Sequence, residues 1–334
     1  MERLLITLIL VCTMNNITNA QNPFYGQYHT PHEAVPFDRI ETEHYEPAIL
    51  EGIKLQNAEI EAIIQNPEKA DFTNTIEAFE ESGKLLDKVV AVFGNMLSAE
   101  TNDDLQELAQ KIMPLLSEHS NNITLNEKLF ARVKEVYNQK ETLQLTQEQK
   151  QLLENAYNSF IRHGANLEGE AREEYRRLTT ELSKLTLTFS ENNLKETNAY
   201  QMLLTKKESL AGLPEIIIEA AAETAKNEEK EGWAFTLHAP SYIPFMTYSD
   251  NRDLRQKLYM AYNTKCTHDN EFNNIDIVKK IANTRMKIAQ LLGYKDYAEY
   301  TLKKRMAENS KSVYKLLNQL LEAYTPTAQQ EYKE

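Results

Sequence analysis

The chain has 334 residues, of which 41% are hydrophobic and 26% charged, enough for a sizeable core in one large or two smaller domains. Only 9 glycines and 10 prolines leave little material for loops, so the composition favours long helices over many short strands. The formal net charge of −13 argues against a nucleic-acid-binding protein, because phosphate binding needs clustered lysine and arginine.

Residues 1–20 differ in composition from the rest of the chain. A short charged start precedes an apolar run, Leu4–Met14, that is too short to span a bilayer stably. A polar stretch follows and ends in Thr18-Asn19-Ala20, with small residues where a signal peptidase needs them. This order is typical of a secretory signal peptide with cleavage before Gln21. We therefore expect an exported protein, located in the periplasm of a Gram-negative bacterium and not associated with the membrane after cleavage.

Apolar residues recur at helical spacing through residues 42–198, and this stretch is predicted to form a helical lobe. Residues 21–41, rich in proline, histidine and aromatic residues, lack such a period and predict an extended arm. We expect a first helix with Pro47 in its first turn and a second, long helix begun by Asn74 with Glu77. The buried stripe of that second helix is predicted to contain Ile76, Phe79, Gly83, Leu86, Val90, Phe93 and Leu97.

Later helices in this lobe have clear sequence signals. Thr146 and Gln149 form a capping box, and apolar residues at helical spacing predict a long helix over 167–198. Helices of this length, antiparallel and joined by short loops, pack as a bundle.

The pattern changes over residues 199–334, which are predicted to be mixed at first and then helical. Segments 199–205 and 232–238 have an alternating composition that predicts two strands, and Pro214 begins a helix between them. We therefore predict a mainly all-α chain with a small two-stranded β element. Further helices are expected to begin near Asn251, Asn274 and Asn309.

The last predicted helix is amphipathic from Val313 onwards and continues to Glu334 without a terminating glycine or a polar tail. We interpret this pattern as an interrupted sequence, which leads us to expect that further polypeptide follows. A stop codon directly after Glu334 in the source gene would contradict this hypothesis.

The 7 histidines do not form a complete metal-binding motif. A helical zinc peptidase site needs His-Glu-x-x-His, because a four-residue step places both imidazoles on one face of a helix. His32 and Glu33 begin this pattern, but Pro36 stands at the second histidine position and disfavours the required helix interior. His268 with Glu271 contains half of an inverted motif, and its second histidine is missing.

Other catalytic motifs are also missing from the sequence. Cys266 would be the sole cysteine of the mature chain, and a lone cysteine in a helical stretch is usually a small buried apolar group. The densest acidic stretches, Glu168–Glu174 and Glu228–Glu231, are predicted to lie on helix surfaces. No nucleophile elbow and no phosphate-binding glycine loop occur. We therefore expect no catalytic, cofactor-binding or metal-binding residue in this chain.

Several short segments occur in a characteristic order from Asn22 to about Leu321. The last of them, Leu291–Tyr294, followed by Tyr297-Ala298 and Met306-Ala307, is characteristic, although the order of all the segments carries more weight than any one of them. The others are Asn22–Phe24, Val35–Ile40, Phe72–Ala78, Leu97–Asn102, Leu129–Lys134, Leu210–Pro214, Trp233–Leu237 and Asn251–Arg255. In these segments the chain resembles the thimet-oligopeptidase-like zinc metallopeptidases, and within them the peptidyl-dipeptidase (dipeptidyl carboxypeptidase, oligopeptidase A-like) branch.

The resemblance implies a two-lobed, mostly helical protein with a deep channel that admits only short unfolded peptides. In this family a His-Glu-x-x-His pair and a downstream glutamate bind zinc, and they lie in the second half of a chain about twice this length. None of these residues has a counterpart here. The resemblance therefore implies that this chain is the N-terminal part, which forms one wall of the channel, restricts access and is inactive without the missing C-terminal catalytic lobe.

A second interpretation remains open from the sequence. The chain would then be a stand-alone, non-catalytic helical protein that binds peptides, and the peptide affinity of the purified chain without zinc would distinguish the two. For the intact enzyme, the resemblance favours removal of C-terminal dipeptides over internal cleavage.

Overall fold

The computed structural model describes residues 22–333, so the predicted signal peptide over 1–20 lies outside the described residues. Two strands, β1 (Gln201–Leu204) and β2 (Trp233–Thr236), lie in the second half of the chain. The prediction of a mainly all-α chain with a small two-stranded β element is confirmed. The helices are α1 (Thr42–Gln65), α2 (Lys84–Ala99), α3 (Asp103–Thr124), α4 (Glu127–Asn138), α5 (Gln147–Arg162), α6 (Gly169–Ala199), α7 (Glu215–Asn227), α8 (Ala239–Tyr248), α9 (Arg252–Asn263), α10 (Ile275–Leu291), α11 (Tyr297–Leu302) and α12 (Ser310–Glu331).

The chain forms two compact units. The first comprises Met1–Ser183 with Lys287–Glu334, and the second is Lys184–Met286. The predicted division into a lobe over 42–198 and a segment over 199–334 follows the change in sequence pattern and remains a prediction.

One core of the first unit is built around aromatic side chains of α4 and α5. The ring of Phe160 lies 5.4 Å from that of Phe79 and 5.7 Å from that of Phe130, measured between centroids. Ile76 and Leu129 are fully buried in the same cluster. This cluster stabilises the unit because it removes the apolar faces of several helices from water.

The N-terminal arm is fixed to the first unit by a buried phenylalanine. Phe24 packs with its ring centroid 5.4 Å from that of Tyr45, which in turn lies 5.1 Å from the ring of Phe93. Asn22 accepts a hydrogen bond from the Phe24 amide and donates one from Nδ2 to the carbonyl oxygen of His44 at 2.9 Å. The first residues of the arm are therefore anchored in the first unit, whereas most residues from Gly26 to Arg39 are exposed.

Helix α1 begins earlier than predicted. It starts at Thr42, because Glu41 and His44 form a reciprocal capping box there, in which His44 Nδ1 accepts from the Glu41 amide at 2.9 Å. Pro47 therefore lies inside α1 and not in its first turn.

The predicted start of the second helix is also wrong. The segment begins with a π-helical turn, Phe72–Glu77, whose capping box consists of Asp71 and Asn74 and not of Asn74 and Glu77. Asp71 Oδ1 accepts from the Asn74 amide at 2.7 Å. Aspartate is among the best N-cap residues, which explains why the helix begins there.

The predicted long second helix is interrupted at Gly83, and α2 begins after it. Gly83 has a φ of 78°, in the left-handed region that ends the preceding turn. Its amide donates to Glu59 Oε2 at 2.8 Å, and a Cβ at this position would lie 2.3 Å from Gln56 Nε2. Two side chains of α1 thus determine a break that the apolar period does not show.

Most other predicted helix boundaries agree with the structure. Thr146 and Gln149 form the predicted capping box at the start of α5. The N-caps of α7, α9 and α12 are Pro214, Asn251 and Asn309. Helix α6 covers almost the same residues as the predicted long helix over 167–198.

The second unit is organised around the predicted strands, which pair as an antiparallel sheet with Met202 opposite Phe235. Phe235 of β2 packs edge-to-face on Phe245 of α8, with ring centroids 4.6 Å apart, and both side chains are fully buried. Leu258 of α9 is buried in the same core. This core fixes the positions of α8 and α9, which carry the site described next.

Candidate functional site

The histidines that begin metal-binding motifs in the sequence do not converge on a site. His32 and Glu33 lie in a short 3-10 helix, and both have positive φ, 57° and 54°. His268 is exposed, with Nε2 3.8 Å from Oε1 of Glu196. Within residues 22–333, no three His, Cys, Asp or Glu side chains are grouped so that they could hold a metal ion. In the same part of the chain, no helix combines the length and the apolar character needed to cross a membrane.

Cys266 is buried in the second unit and is a poor nucleophile. Its backbone amide donates to the Glu196 carboxylate, and its side chain lines a cavity of about 170 Å³ together with Phe189 and Asn274. Burial, reinforced by the Glu196 carboxylate, raises the pKa of the Cys266 thiol to about 11. The reactive thiolate is therefore a minor species at neutral pH.

The two acidic stretches differ in their placement. Glu174, in the first stretch, lies on the surface of α6 and forms an ion pair with Arg177 at 2.7 Å. The second stretch, Glu228–Glu231, lies just beyond the end of α7 and not on a helix surface. Glu228 pairs there with Lys230 at 2.6 Å, so in each stretch a carboxylate is engaged in an ion pair.

The second unit carries a cluster of tyrosines beside a lysine, which we call the tyrosine surface and define as Tyr242, Tyr259, Tyr262 and Lys265. Tyr242 lies on α8, and Tyr259 and Tyr262 lie on α9 with a three-residue spacing that places them on one side of that helix. The rings of Tyr242 and Tyr262 stack, with centroids 4.2 Å apart and 20° between their planes. Tyr259 and Tyr262 are exposed to solvent.

The buried faces of the same two helices explain this exposure. Phe245 in α8 and Leu258 in α9 are fully buried in the core of the second unit. Tyr259 follows Leu258 directly and therefore points away from the buried face of α9. Tyr242 and Tyr262 lie three and four positions from these anchors, so they border the buried faces, at the edge of the core that holds the two helices together.

Lys265 adds a positive charge beside these rings. Its Nζ lies 4.7 Å from the ring centroid of Tyr262, a favourable cation–π distance, and donates to Thr197 Oγ1 at 3.0 Å. Burial, together with the neighbouring phenols of Tyr262 and Tyr259, raises the pKa of Tyr242. The phenol of Tyr242 is therefore neutral at physiological pH.

The tyrosine surface has the chemistry of a binding site and not of a catalytic one. Neutral phenol rings stack on apolar and aromatic side chains and form hydrogen bonds, and an ammonium group attracts carboxylates. Sequence reasoning did not identify this surface. The Tyr259–Tyr262 spacing was visible in the sequence, but the stacking of Tyr262 on Tyr242 depends on how α8 and α9 pack.

Comparison with known proteins relates the chain to one group of peptidases. Residues 245–334 match the model of Peptidase family M3, a stretch that includes α9 to α12. Oligopeptidase A of Salmonella typhimurium is 30% identical over 314 residues, which are 93% of this chain and 46% of that protein. Dipeptidyl carboxypeptidase of Escherichia coli is 33% identical over 311 residues, again 93% of this chain and 46% of that protein. The resemblance seen in the sequence is confirmed.

The dipeptidyl carboxypeptidase of Salmonella typhimurium is 35% identical over 288 residues, which are 86% of this chain and 42% of that protein. The chain thus spans a little under half the length of the curated relatives it matches.

Proposed function

From its relationship to the family M3 peptidases, we propose that this chain is one part of a longer exported peptidase that hydrolyses short peptides. The observation that carries the proposal is 30% to 35% identity, over most of this chain, to proteins named oligopeptidase A or dipeptidyl carboxypeptidase. Removal of C-terminal dipeptides and cleavage within oligopeptides are both compatible with these names, and the 35% relative favours the former.

Zinc, which the family resemblance implies for the intact enzyme, does not fit the residues of this chain that the structure describes. No three candidate ligands are grouped within residues 22–333, so no hydrolytic step is derived from them. We therefore assign metal binding and hydrolysis to polypeptide that this chain does not contain, and we expect the chain alone to be inactive.

The part of the reaction left to this chain is to hold and select peptides. The tyrosine surface supports this role, because its rings offer stacking contacts and Lys265 offers a charge for a carboxylate. Short unfolded peptides can present both kinds of group at once, whereas folded proteins bury most of their apolar side chains. The resemblance to the peptidase family also implies a channel that admits only short peptides, and this chain would form one wall of that channel.

A stand-alone peptide-binding protein is the second candidate. It is favoured by the lack of a metal-binding group among residues 22–333 and by the separate, well-buried cores of the two units. In this case the chain would bind peptides as tightly without zinc as with it and would never show hydrolysis in any complex.

The purified mature chain can decide between these functions. We expect less than one equivalent of zinc, no hydrolysis of a short synthetic peptide with an aromatic residue, and weak binding that Tyr262→Ala reduces but Tyr248→Ala does not. Tyr248 is the control because it is also an exposed tyrosine, 51% against 38% for Tyr262, and lies on α8 outside the tyrosine surface. Turnover with stoichiometric zinc by the chain alone would refute the proposal.

Export is tested separately from activity. N-terminal sequencing of the protein from cell fractions should find Gln21 as the first residue of a periplasmic species. Recovery of Met1 on the mature protein in the cytoplasm would show that residues 1–20 are not a cleaved signal peptide.

A further inference from the structure

Helix α12 differs from the other long helices because no side chain in its 22 residues is buried. By contrast, α2, a helix of 16 residues in the same unit, buries Leu86, Val89, Val92 and Phe93. Amphipathic helices in globular proteins owe most of their stability to packing of the apolar face, and isolated helices are marginal in water. The apolar face of α12 is therefore expected to be covered by something other than the residues described here.

The exposed residues of α12 form one continuous face, which we call the α12 stripe. Tyr314 is 64% exposed, Leu317 50%, Leu321 67% and Tyr324 66%, and Leu316 and Leu320 lie beside them. At 3.6 residues per turn these side chains fall within an arc of about 160°. The opposite face carries Lys315, Asn318 and Glu322.

The composition of the stripe defines the chemistry of its partner. Between Val313 and Ala328 the stripe contains leucine and tyrosine and no charged residue. Anionic ligands, nucleic acid and anionic membrane surfaces would need basic residues on this face, whereas Lys315 lies on the opposite one. An apolar protein surface with hydrogen-bond acceptors for two tyrosines fits it best.

The relatives indicate which protein surface this is. They are more than twice as long as the aligned part of this chain, since the chain covers 46% of the first two. The match to Peptidase family M3 includes the whole of α12, so the helix is a feature of the family and not an appendage. An intact protein of the relatives' length would contain further polypeptide that could cover the stripe.

We propose that the α12 stripe is the docking surface for the remaining part of this peptidase, which it would bind even as a separate polypeptide. The inference rests on the proposed function and names the partner of this chain. Docking there would bury the leucines and tyrosines of the stripe and convert α12 from a marginal helix into a packed one. The same contact would be a condition for activity, since residues 22–333 contain no grouped metal ligands.

The first test pairs the full chain with the part of Escherichia coli dipeptidyl carboxypeptidase that the alignment leaves uncovered. The two polypeptides are co-expressed, and a tag on the full chain is used for purification. A one-to-one complex is expected. Leu317→Lys with Leu321→Lys should reduce the recovered partner about tenfold or more, because both leucines would be buried at the centre of the contact.

The matched control is Asn318→Lys with Gln319→Lys, which adds the same two charges to the same helix outside the stripe. This variant should recover as much partner as the unaltered chain. Lysine is a good helix former and none of the four positions is buried, so far-UV circular dichroism should be the same for all variants. Absence of a complex, or an equal effect of both double variants, would overturn the inference.

Two further readouts separate this inference from the proposed function. If the complex forms through the stripe but binds no zinc and hydrolyses no peptide, the proposed function fails and the docking surface stands. If the complex hydrolyses peptides and the stripe variant does so equally well, the docking surface is wrong and the proposed function stands. A dimer of the chain alone that the stripe variant dissociates would assign the stripe to a second copy instead.

Hydrogen exchange of the chain alone requires no partner. The amides of α12 should exchange much faster than those of α2, since α12 has no buried side chain to resist local opening. Protection of α12 equal to that of α2 would contradict the view that its face is uncovered.

Discussion

Replacement of Gly52 by alanine should destabilise the first unit, although alanine is the better helix former. Gly52 is buried in α1, and a Cβ at this position would lie 2.9 Å from the Cα atom and 3.0 Å from the backbone nitrogen of Leu86 in α2. These are backbone atoms of a packed helix, so they cannot rotate aside as a flexible side chain would. The two helices would have to separate.

The expected magnitude follows from two opposing effects. Alanine in a helix interior gains about 0.5–1 kcal/mol over glycine, chiefly because the unfolded chain has less freedom to lose. Overpacking in a close-packed core costs about 1–3 kcal/mol. We therefore expect Gly52→Ala to lower the free energy of unfolding by about 1–2 kcal/mol.

Gly94 provides the matched control in the partner helix. It lies inside α2, and a Cβ there would meet no atom within 4 Å. Gly94→Ala should thus raise the free energy of unfolding by up to about 1 kcal/mol. Urea unfolding followed by far-UV circular dichroism measures both variants. If Gly52→Ala is as stable as Gly94→Ala, the close approach of α1 and α2 at this point is wrong.

Three further outcomes are expected. Arg162→Ala should lower the free energy of unfolding by about 1–3 kcal/mol, because the guanidinium lies 4.2 Å from the ring centroid of Tyr300 and donates to the Tyr300 carbonyl oxygen at 3.1 Å. Urea unfolding measures the loss, and Arg162→Lys should recover part of it. Cys266, whose pKa is raised to about 11, should react with a disulfide reagent at pH 8 far more slowly in the native chain than in the chain unfolded by urea. Equal reaction rates in the two states would contradict the burial of this side chain. Burial lowers the pKa of His119, so the unfolded state binds a proton more readily than the folded state. The free energy of unfolding should therefore fall as the pH drops below about 6.5, the pKa of an unperturbed histidine. His119→Gln should weaken this pH dependence in urea titrations at several pH values.

Local sequence signals predicted much of the helical structure of this protein. The capping box of Thr146 with Gln149 and the N-cap Asn309 depend on residues three positions apart, so their geometry is encoded in a short window. The antiparallel pair of strands was recognisable because a period of two replaces the helical period. The local rules gave the wrong N-cap where two suitable residues lie close together: Asp71, and not Asn74, is the N-cap of the π-helical turn.

The relationship to the peptidases was also readable from the sequence. It depends on many short segments in a fixed order along the chain, and the relatives are about one-third identical to it over most of its length. Asn251–Arg255 and Leu291–Tyr294, two of these segments, lie within the stretch that matches the family.

Tertiary structure alone decided the features that depend on residues far apart in the chain. The break at Gly83 results from Glu59 and Gln56 on a neighbouring helix, and the stack of Tyr242 on Tyr262 results from the way two helices share one core. Periodicity reports only that a helix has an apolar face, whereas packing determines what that face meets. In α2 the apolar face meets a core, and in α12 it meets none among the described residues, although both sequences show the same kind of stripe.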